Sequence, residues 1–137
     1  LYGSTEVMSD VTYWQANNNA PGLMAPIGRP ASGCQVTVVD SYKNPVSQGA
    51  IGELMVSGNS IAAGYLNPPE VAGSSSADGP FVDTRFGASY LTGDLGRVNQ
   101  QGEIQCLGRK DEQLKIRGYR IEPAEIRSHI RAQQGIK

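Results

Sequence analysis

The chain has 137 residues, a formal net charge of -1 and 39% hydrophobic residues, which suits one domain or a piece of a larger one. A balance this close to neutral excludes the broad basic field that nucleic acid or an anionic membrane would need. No apolar run approaches the roughly 20 residues that cross a bilayer.

In chain order, residues 1–33 read as polar and loop-rich, with "NNNAPG" and "GRPASG" as turn signals. Residues 34–40, "CQVTVVD", have the β-branched content of a strand, and residues 51–58, "IGELMVSG", form a second. With "SYKNPVSQG" as the turn between them, the two make a hairpin. "VAGSSSADGP" reads as a solvated surface loop. Residues 86–95 form a short strand ending in a tight Thr-Gly-Asp turn. A hairpin follows, with arms at 96–98 and 103–107 and its turn at 99–102.

Past Gly108 the composition becomes strongly charged. Residues 113–116 read as a strand and Arg117-Gly118 as a turn. "EPAEIRSHIRAQQG" reads as a helix with Pro123 at its first position, Glu122 and Glu125 at its positive end and Gly135 as its cap. Ile126 and Ile130 share a face of that helix, and His129 between them reads as a solvated or packed residue. The change of style sets a boundary near residues 109–111.

Cys34 and Cys106 lie far apart, match no metal spacing and sit in apolar runs, so they read as buried free thiols. With no signal-peptide pattern, a reducing, cytoplasmic setting is expected. The chain starts without an initiator Met and stops just after the helix, which is the look of a piece of a longer protein.

Three stretches carry chemistry. In "LYGSTE", Tyr2 could stack on a flat ring, Gly3 permits close backbone approach, Ser4 and Thr5 could bond phosphate oxygens, and Glu6 could hold magnesium. A Gly-Ser turn would explain the same residues. In "YLTGDLGR", Asp94 could accept both hydroxyls of a ribose, or serve only a Gly-Asp turn. "LGRKDEQLKIRGYR" gathers Arg109, Lys115, Arg117 and Arg120 about a turn glycine, where cations could stabilise polyphosphate or merely form a solvated face.

Taken together, "LYGSTE", "GELMVSGNSIAAGYLN", "YLTGDLGR" and "GRKDEQLKIRGYRIEPAEI" resemble, in that order, the second half of an adenylate-forming enzyme, in particular the amino-acid adenylation domain of nonribosomal peptide synthetases. The resemblance covers nearly the whole chain. It implies an α+β fold: residues 1–108 as the distorted β-barrel end of the large AMP-binding domain, 109–111 as a hinge, and 112–137 as the beginning of the small C-terminal domain, a hairpin plus a helix. It implies ATP/AMP and magnesium as ligands, and a carrier domain bearing phosphopantetheine as partner.

By the same resemblance, Tyr2 would stack on adenine, Thr5 would contact the α-phosphate and Glu6 would bind magnesium. Asp94 would hold the ribose hydroxyls with help from Arg109, and Asp111 would be the hinge. Gly118 would lie on the loop that admits the phosphopantetheine arm, Arg120 would touch phosphate or the arm, and Tyr65 would be structural. A carboxylate would attack the α-phosphate of ATP, and a thiol would then take the acyl group. The family's phosphate loop and catalytic lysine are not among these residues, so the piece alone is expected to be inactive. Leu1, Ser9 and Asp10 would line the acyl pocket, which Tyr13 and Trp14 could border. An acid at position 10 suits a β-amino acid, and "LYGSTEVMSDVTYW" looks like the Ebony type that uses β-alanine; Ser9-Asp10 could equally cap local structure. An acyl-CoA ligase or a non-catalytic adenylate-like scaffold are the competing readings.

Overall fold

The computed structural model describes residues 1–16, 25–66 and 79–133. Its centre is a five-stranded antiparallel sheet. β4 (Cys34–Val39), β5 (Gly52–Gly58), β7 (Gly87–Val98) and β6 (Phe81–Thr84) lie in that order, and β8 (Ile104–Arg109) joins the far half of β7. β4 and β5 pair in register from Cys34 opposite Gly58 to Val39 opposite Glu53, as the two β-branched runs predict. Leu54, Met55 and Val56 are fully buried in succession, so β5 is covered on both faces.

The first 33 residues are more ordered than their polarity suggests. β1 (Tyr2–Ser4) leads through a single 3-10 turn, Thr5–Val7, into β2 (Ser9–Tyr13), and β3 (Arg29–Pro30) completes a second sheet. This corrects the loop-rich expectation. Polar Glu6 and Thr12 are buried beside Val7 and Val11, so burial here does not follow hydrophobicity. Gly3 is required because a Cβ would lie 2.1 Å from the carbonyl oxygen of Ser9 on the facing strand. Backbone bonds from Ile27 N–H to Ile104 O (2.9 Å) and from Ile104 N–H to Gly28 O (2.7 Å) stitch this sheet to β8.

Two apolar clusters fill the space between. One contains Val7, Val11, Val56 and Tyr90, the other Val38, Leu54 and Ile104; Tyr2 packs against both. Cys34 and Cys106 are free and half-buried rather than fully buried.

A second correction concerns β7. The predicted Thr-Gly-Asp turn and the separate arm at 96–98 are one continuous twelve-residue strand. Between Leu91 opposite Met55 and Leu95 opposite Glu53, β7 has more residues than β5, so Thr92–Gly93–Asp94 bulges out. Gly93 adopts φ 76°, which in a strand marks a bulge as readily as a turn. The short strand β6, paired from Phe81 opposite Tyr90, was not expected at all.

Beyond Arg109 the expected strand, Arg117-Gly118 turn and helix are present. β9 (Leu114–Ile116) and β10 (Tyr119–Ile121) form a separate two-stranded sheet joined at Arg117-Gly118, both at positive φ. Helix α1 (Pro123–Arg131) follows, with Pro123 in its first turn and Glu122 at the N-cap. Ile126 and Ile130 are 52% and 47% exposed, so their shared face is uncovered in this structure. The "NNNAPG" turn, most of the "VAGSSSADGP" loop and the Gly135 cap lie outside the described residues. Among those described, no helix is long and apolar enough to cross a membrane.

Candidate functional site

The β7 bulge organises the site. Bulging frees the Thr92 and Gly93 carbonyls from strand partners, and residues at the end of β8 take them up. Arg109 donates to Thr92 O (3.1 Å), and the Lys110 backbone N–H donates to Gly93 O (2.9 Å). The Thr92 hydroxyl turns inward and donates to Leu54 O at 2.8 Å. Asp94, held on the bulge, receives the Tyr2 hydroxyl on Oδ2 (2.5 Å) and Arg109 Nη1 on Oδ1 (3.1 Å).

Arg109 then reaches on to Asp111 with a two-point contact, Nε to Oδ1 at 2.6 Å and Nη2 to Oδ2 at 2.5 Å. Such a planar fork fixes direction as well as charge. The Asp111 bond, followed by the Asp94 charge, raises the Arg109 guanidinium pKa against the effect of burial, and Arg109 in turn lowers the Asp111 carboxyl. Burial first, and then its bond to Asp94, push the Tyr2 phenol well above its usual range, so it stays a neutral donor. Gly93 suits the bulge: its φ is 76°, and a Cβ there would sit 2.4 Å from Arg109 Nη2, so the guanidinium would have to move.

A second centre surrounds Glu6, whose side chain is 2% exposed. Its Oε1 accepts the Tyr65 hydroxyl at 2.6 Å and Arg120 Nη1 at 2.5 Å, the latter reaching across from β10. Burial alone would raise the Glu6 carboxyl pKa; the bonds from Tyr65 and Arg120 outweigh it and hold the carboxyl down to about 2. Among the described residues, Glu6 Oε2 is buried without a hydrogen-bond partner, as is Ser4 Oγ. Tyr65 packs edge-on to Phe81 (5.3 Å between ring centres), and Phe81 contacts Tyr90 (5.2 Å).

The two centres meet at a cleft of about 300 Å³ lined by Tyr65, Tyr90, Gly93, Arg109, Asp111 and Arg120. Tyr2, Asp94, Arg109 and Asp111 are therefore one connected network, and Glu6 with Arg120 a second. The remaining expected residues stand apart from these bonds. Thr5 is exposed, and Gly118 lies at the β9–β10 turn with open space around it. Leu1, Ser9 and Asp10 are all exposed, Leu1 just before the Tyr2–Thr12 pair at one end of the β1–β2 ladder and Ser9 beside Ser4 at the other. Ser9 and Asp10 belong to strand β2, with Asp10 opposite Gly3, which replaces the capping alternative. Trp14 borders a larger groove of about 800 Å³, with Arg97 and Glu103.

Two participants were not anticipated. Glu53 accepts the Gly93 N–H on Oε1 (2.9 Å) and the Lys110 ammonium on Oε2 (2.5 Å), so it braces the bulge and the residue before Asp111 together. The available signal was a lone carboxylate at the head of an otherwise buried strand. Tyr65, expected to be structural, bonds Glu6, a partner that the motif does not name.

The family model for AMP-binding enzymes matches residues 1–66. Malpinin synthetase of Mortierella alpina is 43% identical over 125 residues, covering 91% of this chain and 2% of that protein. A linear gramicidin synthase protein of Brevibacillus parabrevis is 44% identical over 138 residues, 99% of this chain and 3% of that protein. Among solved structures, holo-PA1221, an NRPS protein containing adenylation and PCP domains bound to a vinylsulfonamide inhibitor, superposes with a TM-score of 0.84 at 28% identity, over 98% of this chain and 24% of that one. IdnL1 gives a TM-score of 0.77 at 30% identity, over 91% of this chain and 26% of that one.

The chain belongs to the AMP-binding enzymes. Within them it is part of an adenylation domain of the nonribosomal peptide synthetase type. It spans only 2–3% of the length of the two curated relatives named here. Its strand-rich body with one C-terminal helix is the fold that the resemblance implied.

Proposed function

We propose that this chain supplies the ribose-binding, metal-binding and hinge portions of an enzyme that activates an amino acid with ATP and passes the product to a phosphopantetheine thiol. In the first step a carboxylate oxygen of the substrate bonds to the α-phosphorus of ATP, the α–β bridging bond breaks, and pyrophosphate leaves. In the second a thiolate attacks the acyl carbon, and AMP leaves with the electron pair of the mixed anhydride.

The observation that carries the reading is the Tyr2–Asp94–Arg109–Asp111 chain of bonds, of which Arg109 and Asp111 line the cleft. Asp94 keeps acceptor capacity after bonding Tyr2 and Arg109, because a carboxylate offers about four lone-pair sites. It would take the ribose hydroxyls, and the Tyr2 ring would lie against adenine. Thr5, exposed at the start of the 3-10 turn, would donate to the α-phosphate. Fixed placement of the nucleotide lowers the barrier mainly by aligning the incoming carboxylate with phosphorus.

Glu6 fits a magnesium ion. Its orphaned, ionised oxygen is a hard donor, and this ion is commonly held by one or two carboxylates together with phosphates and water. When bound, the ion would neutralise charge on the phosphate oxygens.

Asp111 would be the pivot, with residues 1–108 belonging to the large domain, 109–111 to the hinge and 112–137 to the small one. What supports this is the end of β8 at Arg109 and the separate sheet formed by β9 and β10. Gly118, at the tip of that sheet, would pass near the phosphopantetheine arm brought by a carrier domain.

The test is substrate-dependent exchange of pyrophosphate into ATP by the complete synthetase, with β-alanine, α-amino acids and fatty acids side by side. Exchange with an amino acid, with an ATP KM that rises for Asp94→Asn, supports the reading. Exchange with a fatty acid alone moves the chain to the acyl ligases. No exchange in a folded enzyme rejects catalysis. Asp10→Ala tests β-alanine: selectivity unchanged by this substitution removes Asp10 from the acyl pocket.

A further inference from the structure

Arg120 stands on the β9–β10 hairpin, beyond the expected hinge, yet its guanidinium is bonded to a carboxylate at the other end of the chain, 114 residues away. That carboxylate, Glu6, is the one whose character suits a divalent cation. We propose that Glu6 is a shared seat: Arg120 occupies it when no cation is present, a divalent cation displaces Arg120 when it binds, and cation binding thereby releases the hairpin. This rests on the magnesium reading of Glu6 and goes beyond it by giving Arg120 the role of a positioning residue.

Three observations carry the inference. First, Glu6 Oε1 already serves two donors, Tyr65 and Arg120, while Oε2 has none among the described residues, so the carboxylate is half-committed. A cation taking both oxygens would meet Arg120 head-on, two positive charges at one buried acid. Second, Arg120 has somewhere to go. Its side chain is 47% exposed, and its Nε already lies 3.5 Å from Glu122 Oε1 on the hairpin's own side of the cleft. Tyr65, by contrast, comes from the large body and needs no displacement, because a neutral hydroxyl and a metal can share a carboxylate. Third, the hairpin is loosely tied among the described residues. There β9 and β10 pair as strands only with each other, and Leu114, Ile116 and Tyr119 are each about half exposed or more. The Arg120–Glu6 bond is thus a main link between hairpin and body.

Linkage then requires reciprocity: whatever holds the hairpin against Glu6 weakens the cation by the same factor. The adenylation step needs the cation beside the phosphates, and the thiol step follows departure of pyrophosphate. A seat that prefers metal in one state and Arg120 in the other would couple hairpin position to progress of the reaction.

The experiment uses the complete synthetase with Mn²⁺ as a paramagnetic probe, in the presence of α,β-methylene-ATP. Mn²⁺ affinity is read by electron paramagnetic resonance, and amide hydrogen exchange is followed over residues 114–121. In the unmodified enzyme, saturating Mn²⁺ should speed exchange in the hairpin. Arg120→Met should bind Mn²⁺ up to about tenfold more tightly, as expected if the seat is blocked about nine-tenths of the time, and its hairpin exchange should be fast with or without the ion. Arg120→Lys, which keeps the charge, should restore most of the competition. Equal Mn²⁺ affinity in the unmodified enzyme and Arg120→Met, with hairpin exchange unmoved by the ion, overturns the shared seat and leaves the magnesium site standing. No Mn²⁺ binding in either protein overturns the magnesium site and the shared seat together.

Discussion

Gly93→Ala separates backbone strain from the crowding that the β7 bulge imposes. At φ 76° an alanine pays the left-handed penalty, about 1–2 kcal/mol. Its Cβ would also lie 2.4 Å from Arg109 Nη2 and 3.0 Å from Asp111 Oδ2. Arg109, only 24% exposed, must then withdraw, and losing one hydrogen bond to a charged group there costs roughly 1.5–3 kcal/mol. The total is about 2.5–5 kcal/mol. Gly118→Ala is the matched control: φ is 86° and nothing lies within 4 Å of the added carbon, so only the strain of about 1–2 kcal/mol remains. Urea unfolding of the adenylation domain that carries this chain, run on both variants, reads the difference directly. Gly93→Ala should also raise the ATP KM, while Gly118→Ala should not. Losses equal to within about 0.5 kcal/mol would refute the reasoning, because crowding by Arg109 would then contribute nothing.

Three further outcomes follow from the same geometry. The Glu6 carboxyl is held at about 2 against an ordinary 4.5, so its contribution to stability is full above about pH 5 and is lost as the pH falls toward 2; Glu6→Gln should flatten that acid limb in a pH series of thermal melts. Tyr2→Phe should lower stability by about 1.5–3 kcal/mol in urea unfolding, since it strips a partly buried donor from the Asp94 carboxylate. Arg127→Ala, which removes an exposed partner of Glu112 on the helix, should change stability by less than about 0.5 kcal/mol.

The parts of the fold that were legible in the sequence are those whose signals are local. "CQVTVVD" and "IGELMVSG" show themselves as strands by β-branched content, Arg117-Gly118 as a turn, and Pro123 as the first residue of a helix. Residues 1–13 were not legible as strands because Glu6 and Thr12 are polar yet buried, and what satisfies Glu6 is Tyr65 and Arg120, far along the chain. Gly93 was visible as a residue needing freedom, but turn and bulge make the same local demand. Only the pairing with β5 and β8 decides between them. For the site, motif order brought out Tyr2, Glu6, Asp94, Arg109, Asp111 and Arg120. Motifs say nothing of who bonds whom, so Glu53 and the Arg120–Glu6 bond stayed hidden until the strands were laid side by side.

The bulge in β7 has a wider implication for how such a site can change. The cleft beside it exists because a strand carries surplus residues over its neighbour, which turns two carbonyls outward for Arg109 and Lys110. What the bulge presents to Arg109 and Lys110 is main chain rather than side chain. Residues around the rim can therefore be exchanged by mutation, altering what enters, while the grip underneath is inherited intact. Deleting the two surplus residues of β7 would do the opposite: the strand would lie flush with β5, and every side chain arranged over the bulge would lose its footing at once.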